Sequence, residues 1–531
     1  MRNRLFAALC AVSGLAAIVT ASTALAARET RPSRPAGTPY LVVFKNGHSG
    51  VGLKAVRAAG GRVVTHDRLG VATVTSANPG FAHTLRSSGA VAGVAHNAGF
   101  FQPALKAQAA AAPPGTKDAA AEAAACASLY SVPLNVGPDQ LSPCQWDMRA
   151  IGATPSGSYA IERGAGAKVG DIDTGIDLNH PDIAPNLDVA ASCSFIYATT
   201  PTSDPAERVT PGDCSNKSAV QDLNGHGTHT AGTMASPING VGIAGVAPRA
   251  TIVALKAGTA EGFFFTQSVV DSLVYAGDHG LDVVNMSFFA DPWLFNCRND
   301  AEQKAIVQAI GRAARYAQQK GVVLVAAAGN EGINLNKPIE DEISPDFPPD
   351  SAVTRPVNNS CVVLPTELPG VVVVSATGAQ NLLSWFSTYG MIVDVAAPGG
   401  SRFQTPKPDT ARGRVLAPYS STASDLTDEA ALGRLVQDPS SGAYWAWLNG
   451  TSMAAPHAAG VVALIRAQNP GMPAGSVVAL LRQTATKLPC PAELDPGVEF
   501  FGAPVQVCQG GVGSNSFYGA GLVSALNAVT K

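Results

Sequence analysis

The amino-acid sequence predicts an α/β protein: a mostly parallel sheet with helices on both faces, preceded by a small α+β domain. The first observation is a set of short apolar runs with the length and composition of buried strands: Thr251–Leu255, Leu281–Met286, Val322–Ala327 and Val371–Ser375. The second is that helix-length segments separate these runs, for example Gln267–Asp278 and Ala301–Gln319. Strands and helices that alternate in this way are typical of a parallel sheet.

Residues 38–101 form the small domain. Its apolar runs predict strands and helices in the order β-α-β-β-α-β, the split βαβ pattern of ferredoxin-like domains: Tyr40–Phe44, Val51–Ala59, Arg62–Thr65, Val71–Thr75, Phe81–Ser87 and Val91–Val94. Residues 102–125 are rich in alanine and contain a Pro113-Pro114-Gly115 break. This composition predicts a linker and a natural position for proteolytic cutting.

The first 27 residues predict export. Arg2 and Arg4 precede an apolar stretch, and Ala24-Leu25-Ala26 has the small residues of a cleavage site, so we expect a signal peptide over residues 1–27. A membrane anchor is the alternative, but no polar stop-transfer flank follows. No later stretch is long and apolar enough to span a membrane. We therefore expect a secreted, extracellular chain that does not bind membranes once the signal is removed.

Composition and cysteine content limit the function further. The net charge of −3 gives no basic surface for nucleic acid, and we expect a monomer. Without Cys10, which lies in the signal, eight cysteines remain and no CxxC pair is present. An even number in an exported chain predicts disulfides rather than a metal site. The sequence leaves the connectivity open, and nearest-neighbour pairing would give 126–144, 193–214, 297–361 and 490–508.

Four glycine-containing motifs carry the polar residues that could perform chemistry: Gly170–Ile183, Asn224–Thr233, Val325–Gly332 and Asn449–Gly460. Taken singly, each has a structural explanation. His226 and His229 could bind a metal, but the zinc-protease motif has an acid after the first histidine and a spacing of four residues. Ser452 could be a simple helix cap.

Taken together, the motifs predict nucleophilic catalysis. A serine hydroxyl becomes nucleophilic when an imidazole takes its proton, and the imidazole needs a carboxylate that holds its tautomer. Asp173, His226 and Ser452 lie at predicted strand ends or helix starts beside glycines. The segment Met453–Ala467 favours a helix, with Pro456 expected in its first turn. Asn330 directly follows an apolar strand and could donate to an oxyanion.

At this point the sequence resembles the subtilisin-like serine proteases, over a region from about Trp146 to Val523. The resemblance implies that Asp173 is the triad acid, His226 the general base and Ser452 the nucleophile. Asn330 matches the oxyanion donor, with the backbone N–H of Ser452 as its companion. The domain at 38–101 resembles the inhibitory propeptide of that family through its element order. His229 and His457 are expected to be structural.

The same resemblance implies that peptide substrates bind as an added strand. The expected edge is Ser287, Phe288 and Phe289, and the expected walls of the main pocket are Ala327, Ala328 and Gly329. The chain departs from the family at Phe289, where a glycine is usual, so Phe289 either reshapes the pocket entrance or points away. The opposite edge, Thr259–Phe265, is unusually aromatic, which fits either apolar subsites or core packing.

Calcium is a further implication of the resemblance, and no cofactor is expected for catalysis. Asp182 and Asn239 match family positions that ligate calcium, and carbonyl oxygens of the loop Ser236–Ile243 would complete an oxygen shell. A surface turn without an ion is the alternative. Of the other aspartates near the triad, Asp177 is expected to face solvent. Asp171 stands where the family usually has an aliphatic residue, on the same strand face as Asp173.

The sequence thus predicts a secreted serine endopeptidase made as a self-processing precursor, with protein or peptide substrates and its own propeptide as partners. Insertions around 190–222, 331–367 and 401–446 widen the spacing of the motifs and either restrict access or stiffen the fold. The alternative is a non-catalytic or narrowly restricted binding protein of the same fold. An esterase or lipase is disfavoured, because Ser452 does not lie in a Gly-x-Ser-x-Gly motif.

Overall fold

A computed structural model describes residues 37–97, 112–406 and 411–531. The predicted signal peptide, the start of the predicted linker and residues 407–410 lie outside these ranges. None of the helices in the described part of the chain combines the length and the apolar composition needed to cross a bilayer.

The N-terminal domain has the element order expected from the sequence: β1 (Thr38–Phe44), α1 (Ser49–Ala58), β2 (Gly61–His66), β3 (Val71–Ser76), α2 (Phe81–Arg86) and β4 (Val91–His96). Its antiparallel sheet has the strand order β2-β3-β1-β4. Residues alternate along β1, so Tyr40, Val42 and Phe44 pack beneath α1 and α2. Leu41 and Val43 point the other way, into a core cluster shared with the rest of the protein.

The helices of the remaining chain are α3 (Ala119–Tyr130), α4 (Trp146–Ile151), α5 (His226–Ala235), α6 (Thr266–Asp278), α7 (Ala301–Gln319), α8 (Leu426–Ala431), α9 (Thr451–Gln468), α10 (Ala474–Thr484), α11 (Gly497–Phe501) and α12 (Ala525–Thr530). Its strands are β5 (Lys117–Asp118), β6 (Lys168–Asp173), β7 (Cys193–Ser194), β8 (Thr251–Lys256), β9 (Val283–Met286), β10 (Phe295–Cys297), β11 (Val323–Ala327), β12 (Glu340–Asp341), β13 (Arg355–Pro356), β14 (Cys361–Val363), β15 (Val372–Thr377), β16 (Val395–Pro398), β17 (Val415–Tyr419), β18 (Leu435–Gln437), β19 (Tyr444–Leu448), β20 (Gly510–Gly511) and β21 (Ser514–Asn515).

The central sheet is parallel, as predicted, and runs β16-β15-β11-β9-β6-β8-β7 through the described residues. Its strands are buried on both faces, which explains their continuous Val, Ile and Ala runs. One face packs against α5, α9, α10 and α12, and the other against α6 and α7. Strand β6 lies in the interior of the sheet, so its carboxyl end is presented between neighbouring strands.

The predicted linker ends earlier than composition indicated. Residues 119–125 belong to α3, which begins where Asp118 accepts a hydrogen bond from the Ala121 N–H. Alanine has the highest helix propensity, and its small side chain allows close packing. Glu122 of α3 is buried and pairs with Arg412 at 2.8 Å, which fixes the helix to a distant insertion.

The four disulfides are those given by nearest-neighbour pairing: Cys126–Cys144, Cys193–Cys214, Cys297–Cys361 and Cys490–Cys508. Two of them secure the predicted insertions around 190–222 and 331–367. The third insertion, around 401–446, forms β17, β18 and β19 and pairs with β5. The described residues of these insertions are therefore folded parts of the domain.

Candidate active site

Asp173 lies at the carboxyl end of β6, and its side chain is fully buried. One carboxylate oxygen, Oδ1, accepts the backbone N–H of Thr174 at 2.7 Å. The same oxygen lies 2.8 Å from Nδ1 of His226. This contact fixes the ring orientation and leaves the far nitrogen, Nε2, to face the cleft.

His226 is the first residue of α5, and a quarter of its side chain is exposed. Burial opposes protonation of the imidazole, but the charge and hydrogen bond of Asp173 outweigh it and raise the pKa of His226. The Asp173–His226 pair therefore has the polarity needed to accept a proton and to stabilise the resulting cation.

Ser452 is the second residue of α9, and its hydroxyl donates to the carbonyl of Ser287 at 3.1 Å rather than to His226. His226 can take the proton only after this hydroxyl turns away from the Ser287 carbonyl, and catalytic hydrogen bonds are often incomplete in structures without substrate. Pro456 is the sixth residue of α9 and does not lie in the first turn, contrary to the sequence prediction. Because proline has no N–H, the carbonyl of Ser452 is free to accept the Ser287 hydroxyl at 3.1 Å.

Asn330 follows β11 and is oriented by the start of α9. Its side-chain oxygen accepts the backbone N–H of Thr451 at 2.8 Å and the Thr451 hydroxyl at 3.0 Å. The amide nitrogen Nδ2 is thereby turned away from Thr451. A methyl group added at Gly450 would lie 3.6 Å from both this nitrogen and the backbone nitrogen of Ser452. The side-chain amide of Asn330, with its oxygen also at 3.6 Å, and the backbone nitrogen of Ser452 thus lie close to one point beside the serine.

We expect Asn330→Ala to lower kcat by about 10²- to 10³-fold while KM changes little, a loss already known for the corresponding residue of subtilisin. The amide would contact substrate oxygen only as negative charge develops, so its loss affects the transition state more than binding. Steady-state kinetics on one peptide substrate measure both constants. Asn358→Ala, in an exposed loop, is the control; a rise in KM at constant kcat would instead assign Asn330 to substrate binding.

A cavity of about 280 Å³ connects the candidate catalytic residues with most of the predicted substrate-binding residues. Its lining includes His226, Asn330 and Ser452 together with the predicted residues Ser287, Phe288, Phe289, Ala327 and Gly329. Ala328 is buried with Val373 and Val393 instead, because alternate residues of the strand point to opposite faces.

Aromatic rings line one side of this cavity. Phe288 stacks on Phe264 with ring centroids 4.2 Å apart, and Phe263 also lines the cavity. Phe289 lines the cavity and also packs against the cluster around Leu294. The carboxyl groups of Asp291, Glu331 and Asp346 are part of the lining as well, so the cavity is not purely apolar.

The two other motif histidines are buried and bonded within the core. His229 has Nε2 3.1 Å from the carbonyl of Ala446, and burial lowers its pKa to about 3. His457 lies between the carbonyl of Met453 and the carboxylate of Asp147, at 2.8 and 3.0 Å. These positions agree with the expected structural roles.

Asp177 does not face solvent, contrary to the prediction. It is buried, and one oxygen accepts both the N–H and the hydroxyl of Ser421, at 2.9 and 2.7 Å. Ser421 belongs to the insertion around 401–446, whose position next to β6 could not be inferred from local sequence. Asp177 therefore anchors that insertion to the Asp173 loop.

Asp222 supports the histidine and was missed by the sequence analysis. It is fully buried, and its oxygens accept the Thr174 hydroxyl at 2.9 Å and the Thr228 N–H at 2.9 Å. It also accepts the N–H of Gly225, directly before His226. The sequence feature that could have identified Asp222 is its position four residues before His226. Asp222 holds together the two loops that carry Asp173 and His226.

Lys256 and Glu207 form a second buried support that was missed. Both side chains are almost fully buried, and Lys256 Nζ lies 2.8 Å from Glu207 Oε1. Lys256 also donates to the carbonyl of Thr174, the residue after Asp173. Glu207 lies within the disulfide-bonded insertion around 190–222, so this insertion reaches the base of the candidate active site.

The predicted calcium residues lie on two different loops, and a third side chain that the sequence analysis missed, Asp139, contacts the loop of Asn239. Asp182 is fully buried; one oxygen accepts the N–H groups of Ile243 and Trp445, and the other, Oδ1, has no hydrogen-bond partner among the described residues. Asp139 accepts the backbone N–H groups of Asn239 and Gly240 at 2.9 and 2.7 Å, and its Oδ2 is likewise unpaired within the described chain.

These residues fit a calcium ion. Burial, together with the nearby charge of Asp139, raises the pKa of Asp182 well above its usual value. A cation would relieve both effects. The described ranges contain no group of three or more His, Cys, Asp or Glu side chains placed to share a metal. Amide and carbonyl oxygens of the loop would therefore have to complete the shell, which is the ligand type that calcium prefers.

The α/β fold places Asp173, His226 and Ser452 around one cleft beside a parallel sheet, an arrangement used by serine hydrolases of several unrelated folds. A family model described as the subtilase family (peptidase S8) matches residues 164–521. This is more than half of the chain, and the protein belongs to the subtilase family.

Individual relatives agree with this assignment. Thermitase from Thermoactinomyces vulgaris is 30% identical over 332 residues, which cover 62% of this chain and 85% of thermitase. Subtilisin BL from Lederbergia lenta is 29% identical over 362 residues, which cover 68% of this chain and 90% of subtilisin BL.

Solved structures share the fold. The epidermin leader peptide processing serine protease from Staphylococcus aureus matches with a TM-score of 0.61 at 21% identity, over 93% of this chain and 98% of that chain. Fervidolysin from Fervidobacterium pennivorans, a keratinolytic enzyme related to subtilisin, matches with a TM-score of 0.57 at 21% identity, over 95% of this chain and 62% of that chain.

Proposed function

We propose that the protein is a secreted endopeptidase that hydrolyses peptide bonds through an acyl-enzyme on Ser452, with His226 as general base and Asp173 as its partner. The observation that carries this proposal is the 2.8 Å contact between Asp173 and His226, which lines the same cavity as Ser452 and Asn330. Each residue has a role that its surroundings support, and the chemistry needs no cofactor.

The reaction begins when Ser452 rotates from the carbonyl of Ser287 towards His226. His226 takes the hydroxyl proton, the serine oxygen attacks the scissile carbonyl, and Asp173 stabilises the imidazolium. The oxyanion is held by Asn330 Nδ2 and the backbone N–H of Ser452, at the positive end of α9. His226 then protonates the leaving amine, and a water molecule hydrolyses the acyl-enzyme by the same steps.

The substrate is an extended peptide that lies between two chain segments. Ser287, Phe288 and Phe289 form one edge, and the segment with Phe263 and Phe264 forms the other. The edge with Phe288 and Phe289 is the one that pairs with the substrate backbone, because the backbone N–H and carbonyl groups of Phe263 and Phe264 are already hydrogen-bonded within the protein. The aromatic rings provide apolar subsites for substrate side chains.

Hydrolysis of a denatured protein, followed by mass analysis of the products, tests this function. The expected result is internal cleavage that a serine-directed phosphonofluoridate stops. Product peptides removed only from the chain ends would contradict an endopeptidase. Full activity after the reagent has been consumed would contradict a serine mechanism.

We propose that residues 38–101 act as an inhibitory propeptide. Gly93 of β4 lies so close to α7 that an added methyl would be 2.7 Å from the side chain of Ala305. Glu302 of α7 pairs with both Arg86 and His96, at 2.8 and 2.9 Å. The domain thus packs on α7, and we propose that self-processing cuts the chain after it, between residues 97 and 127.

Retention of the cleaved propeptide is expected to weaken as pH rises. The hydrogen bond and charge of Glu302 raise the pKa of His96 above its usual 6.5. Burial opposes ionisation of Glu302, yet the contacts with His96 and Arg86 lower its pKa to about 2. Protonated His96 therefore favours the complex fully below its usual pKa, and this contribution is lost as pH rises through the raised value.

Gel filtration of processed protein at about pH 5.5 and about pH 8 measures the fraction of propeptide that co-elutes with the peptidase domain. His96→Gln should reduce the difference between the two pH values, while His83→Gln, exposed on α2, should keep it. An unchanged pH dependence in His96→Gln would assign the effect to another group.

Secretion follows from the predicted signal peptide and is supported by the four disulfides, which persist in oxidising compartments. We also propose a calcium ion held by Asp139, Asp182 and Asn239 with loop carbonyl oxygens. Bound calcium would neutralise the two carboxylates and stabilise the loop that follows α5.

Removal of calcium is therefore expected to lower the melting temperature by several degrees, since a ligand that binds the native state stabilises it by mass action. Differential scanning fluorimetry of the Ser452→Ala precursor in EGTA and in excess calcium measures the shift without autolysis. Asp139→Asn should make the two curves nearly coincide. If EGTA does not change the melting temperature of the Ser452→Ala precursor, the calcium proposal is wrong.

A further inference from the structure

Asp171 is a second carboxyl group beside the triad and has no role in the mechanism above. It lies on β6 two residues before Asp173 and is 2% exposed. Side chains two residues apart on a strand share a face, so both carboxyl groups point towards α5. A buried acid at this position needs partners or a proton.

The partners of Asp171 are two neutral, fully buried groups. Its Oδ1 accepts the amide N–H of Asn285 on β9 at 3.0 Å, and its Oδ2 lies 2.9 Å from the hydroxyl oxygen of Thr230 on α5. The Thr230 oxygen is also 3.5 Å from Asp173 Oδ2 and 3.1 Å from the carbonyl of Gly227. Thr230 therefore stands between the two carboxyl groups with a single proton to donate.

The contacts continue from Asp171 to the nucleophile. The Ser287 hydroxyl oxygen lies 3.2 Å from the side-chain oxygen of Asn285, so its single proton is shared between Asn285 and the Ser452 carbonyl. That hydroxyl also lies 3.1 Å from the Ser452 carbonyl, the group left free by Pro456. A continuous series of side chains behind the cleft thus joins Asp173 to the backbone of Ser452 through Asp171.

The charges around Asp171 favour a neutral group. Asp173 on the same strand is the adjacent charge, and His226 on α5 is the nearby base. The neighbouring strands place Ala254 and Asn285 opposite it.

The charged groups on the other elements near Asp171 are paired elsewhere. On α9, which packs on the same face, His457 pairs with Asp147 and Arg466 lies near Asp282. Lys256 is paired with Glu207. The described residues therefore offer Asp171 no cation of its own.

We propose that Asp171 is a positioning residue that acts in its protonated form: its O–H donates to Thr230, so that the Thr230 proton is directed to the Gly227 carbonyl and Asp173 Oδ2, while its other oxygen holds Asn285. Burial first, and then the charge of Asp173, raise the pKa of Asp171 well above its usual value, in agreement with this state. The proposal rests on the proposed function, because the group that it positions is the triad.

Asparagine tests the protonation state because its amide copies a neutral acid: the NH₂ group can donate to Thr230 and the oxygen can accept from Asn285. We expect Asp171→Asn to keep most of kcat and the same midpoint for the acid limb of the pH profile. An ionised Asp171 would stabilise the imidazolium of His226, so removing its charge would shift this midpoint to lower pH. Such a shift overturns the proposal.

Leucine tests positioning because it has the same branching as aspartate but carries methyl groups in place of the oxygens, which removes both hydrogen bonds. Asp171→Leu should lower kcat by about 10- to 100-fold at nearly constant KM, the scale of effect that a small misplacement of catalytic groups produces. If Asp171→Leu folds and retains full kcat, Asp171 positions nothing. If it fails to fold, the Asp171→Asn comparison still decides the charge state.

Infrared difference spectroscopy gives a readout that does not depend on activity. The Ser452→Ala precursor should show a protonated carboxyl band that is missing when Asp171→Asn is added. Absence of this band would show that Asp171 is ionised, even if the wild type proved to have no peptidase activity. Conversely, if the wild type has no peptidase activity but the band is present, Asp171 is protonated as proposed and only the proposed function is rejected.

Discussion

Replacing Ser452 by alanine is expected to lower peptide hydrolysis by about 10⁶-fold, the loss already known for the corresponding serine of subtilisin. The reason is geometric: Ser452 has the hydroxyl at the start of α9 in the cavity with His226, and the two groups proposed as oxyanion donors lie nearby. Without this hydroxyl no acyl-enzyme forms, and the remaining groups provide only oxyanion and substrate binding.

The same variant should remain a precursor, since processing by the chain itself requires the nucleophile. Electrophoresis and N-terminal sequencing of both proteins, expressed in parallel, measure this: the wild type should be cut between residues 97 and 127, and Ser452→Ala should not. Ser476→Ala, an exposed serine of α10, should process like the wild type. Self-processing of Ser452→Ala would show that another nucleophile exists.

Asp173→Asn is expected to lower kcat by about 10⁴-fold with KM nearly unchanged, as for the equivalent change in a related triad. Asp173 Oδ1 requires a proton on His226 Nδ1, which leaves Nε2 free as the base. An asparagine amide that turns its NH₂ group to this nitrogen favours the opposite tautomer, in which Nε2 is protonated and cannot accept the serine proton.

Kinetics on a single peptide substrate across a pH series measure this effect. Asp350→Asn makes the same chemical change on the exposed surface and should leave kcat and KM at their original values. A loss of less than about tenfold in Asp173→Asn would mean that the 2.8 Å contact does not set the tautomer of His226, and the assignment of Asp173 would be wrong.

Features encoded by local sequence were predictable. The apolar run of β6 followed by Asp173-Thr-Gly marks a strand end, and the run of helix formers in α7 gave its bounds, Ala301–Gln319, to the residue. The disulfides follow chain proximity, so pairing each cysteine with its nearest neighbour was correct in all four cases.

Features that depend on distant segments were not predictable. Asp177 lies among residues that favour turns and was therefore expected at the surface. Its hydrogen-bond partner, Ser421, belongs to an insertion 244 residues later in the chain. Glu207 is paired with Lys256, and Asp139 meets the loop at Asn239. Each of these acids is buried by a chain segment that local patterns do not place, so their hydrogen-bond partners emerge only in the folded chain.

The central claim, that Ser452 is a nucleophile activated by His226, is tested most directly by covalent labelling. Processed wild-type protein is treated with a serine-directed phosphonofluoridate, and the modified peptide is identified by mass spectrometry. The account predicts one label per chain, on Ser452, with loss of activity in proportion to labelling. A label on another residue, or activity that persists after complete labelling of Ser452, would contradict it.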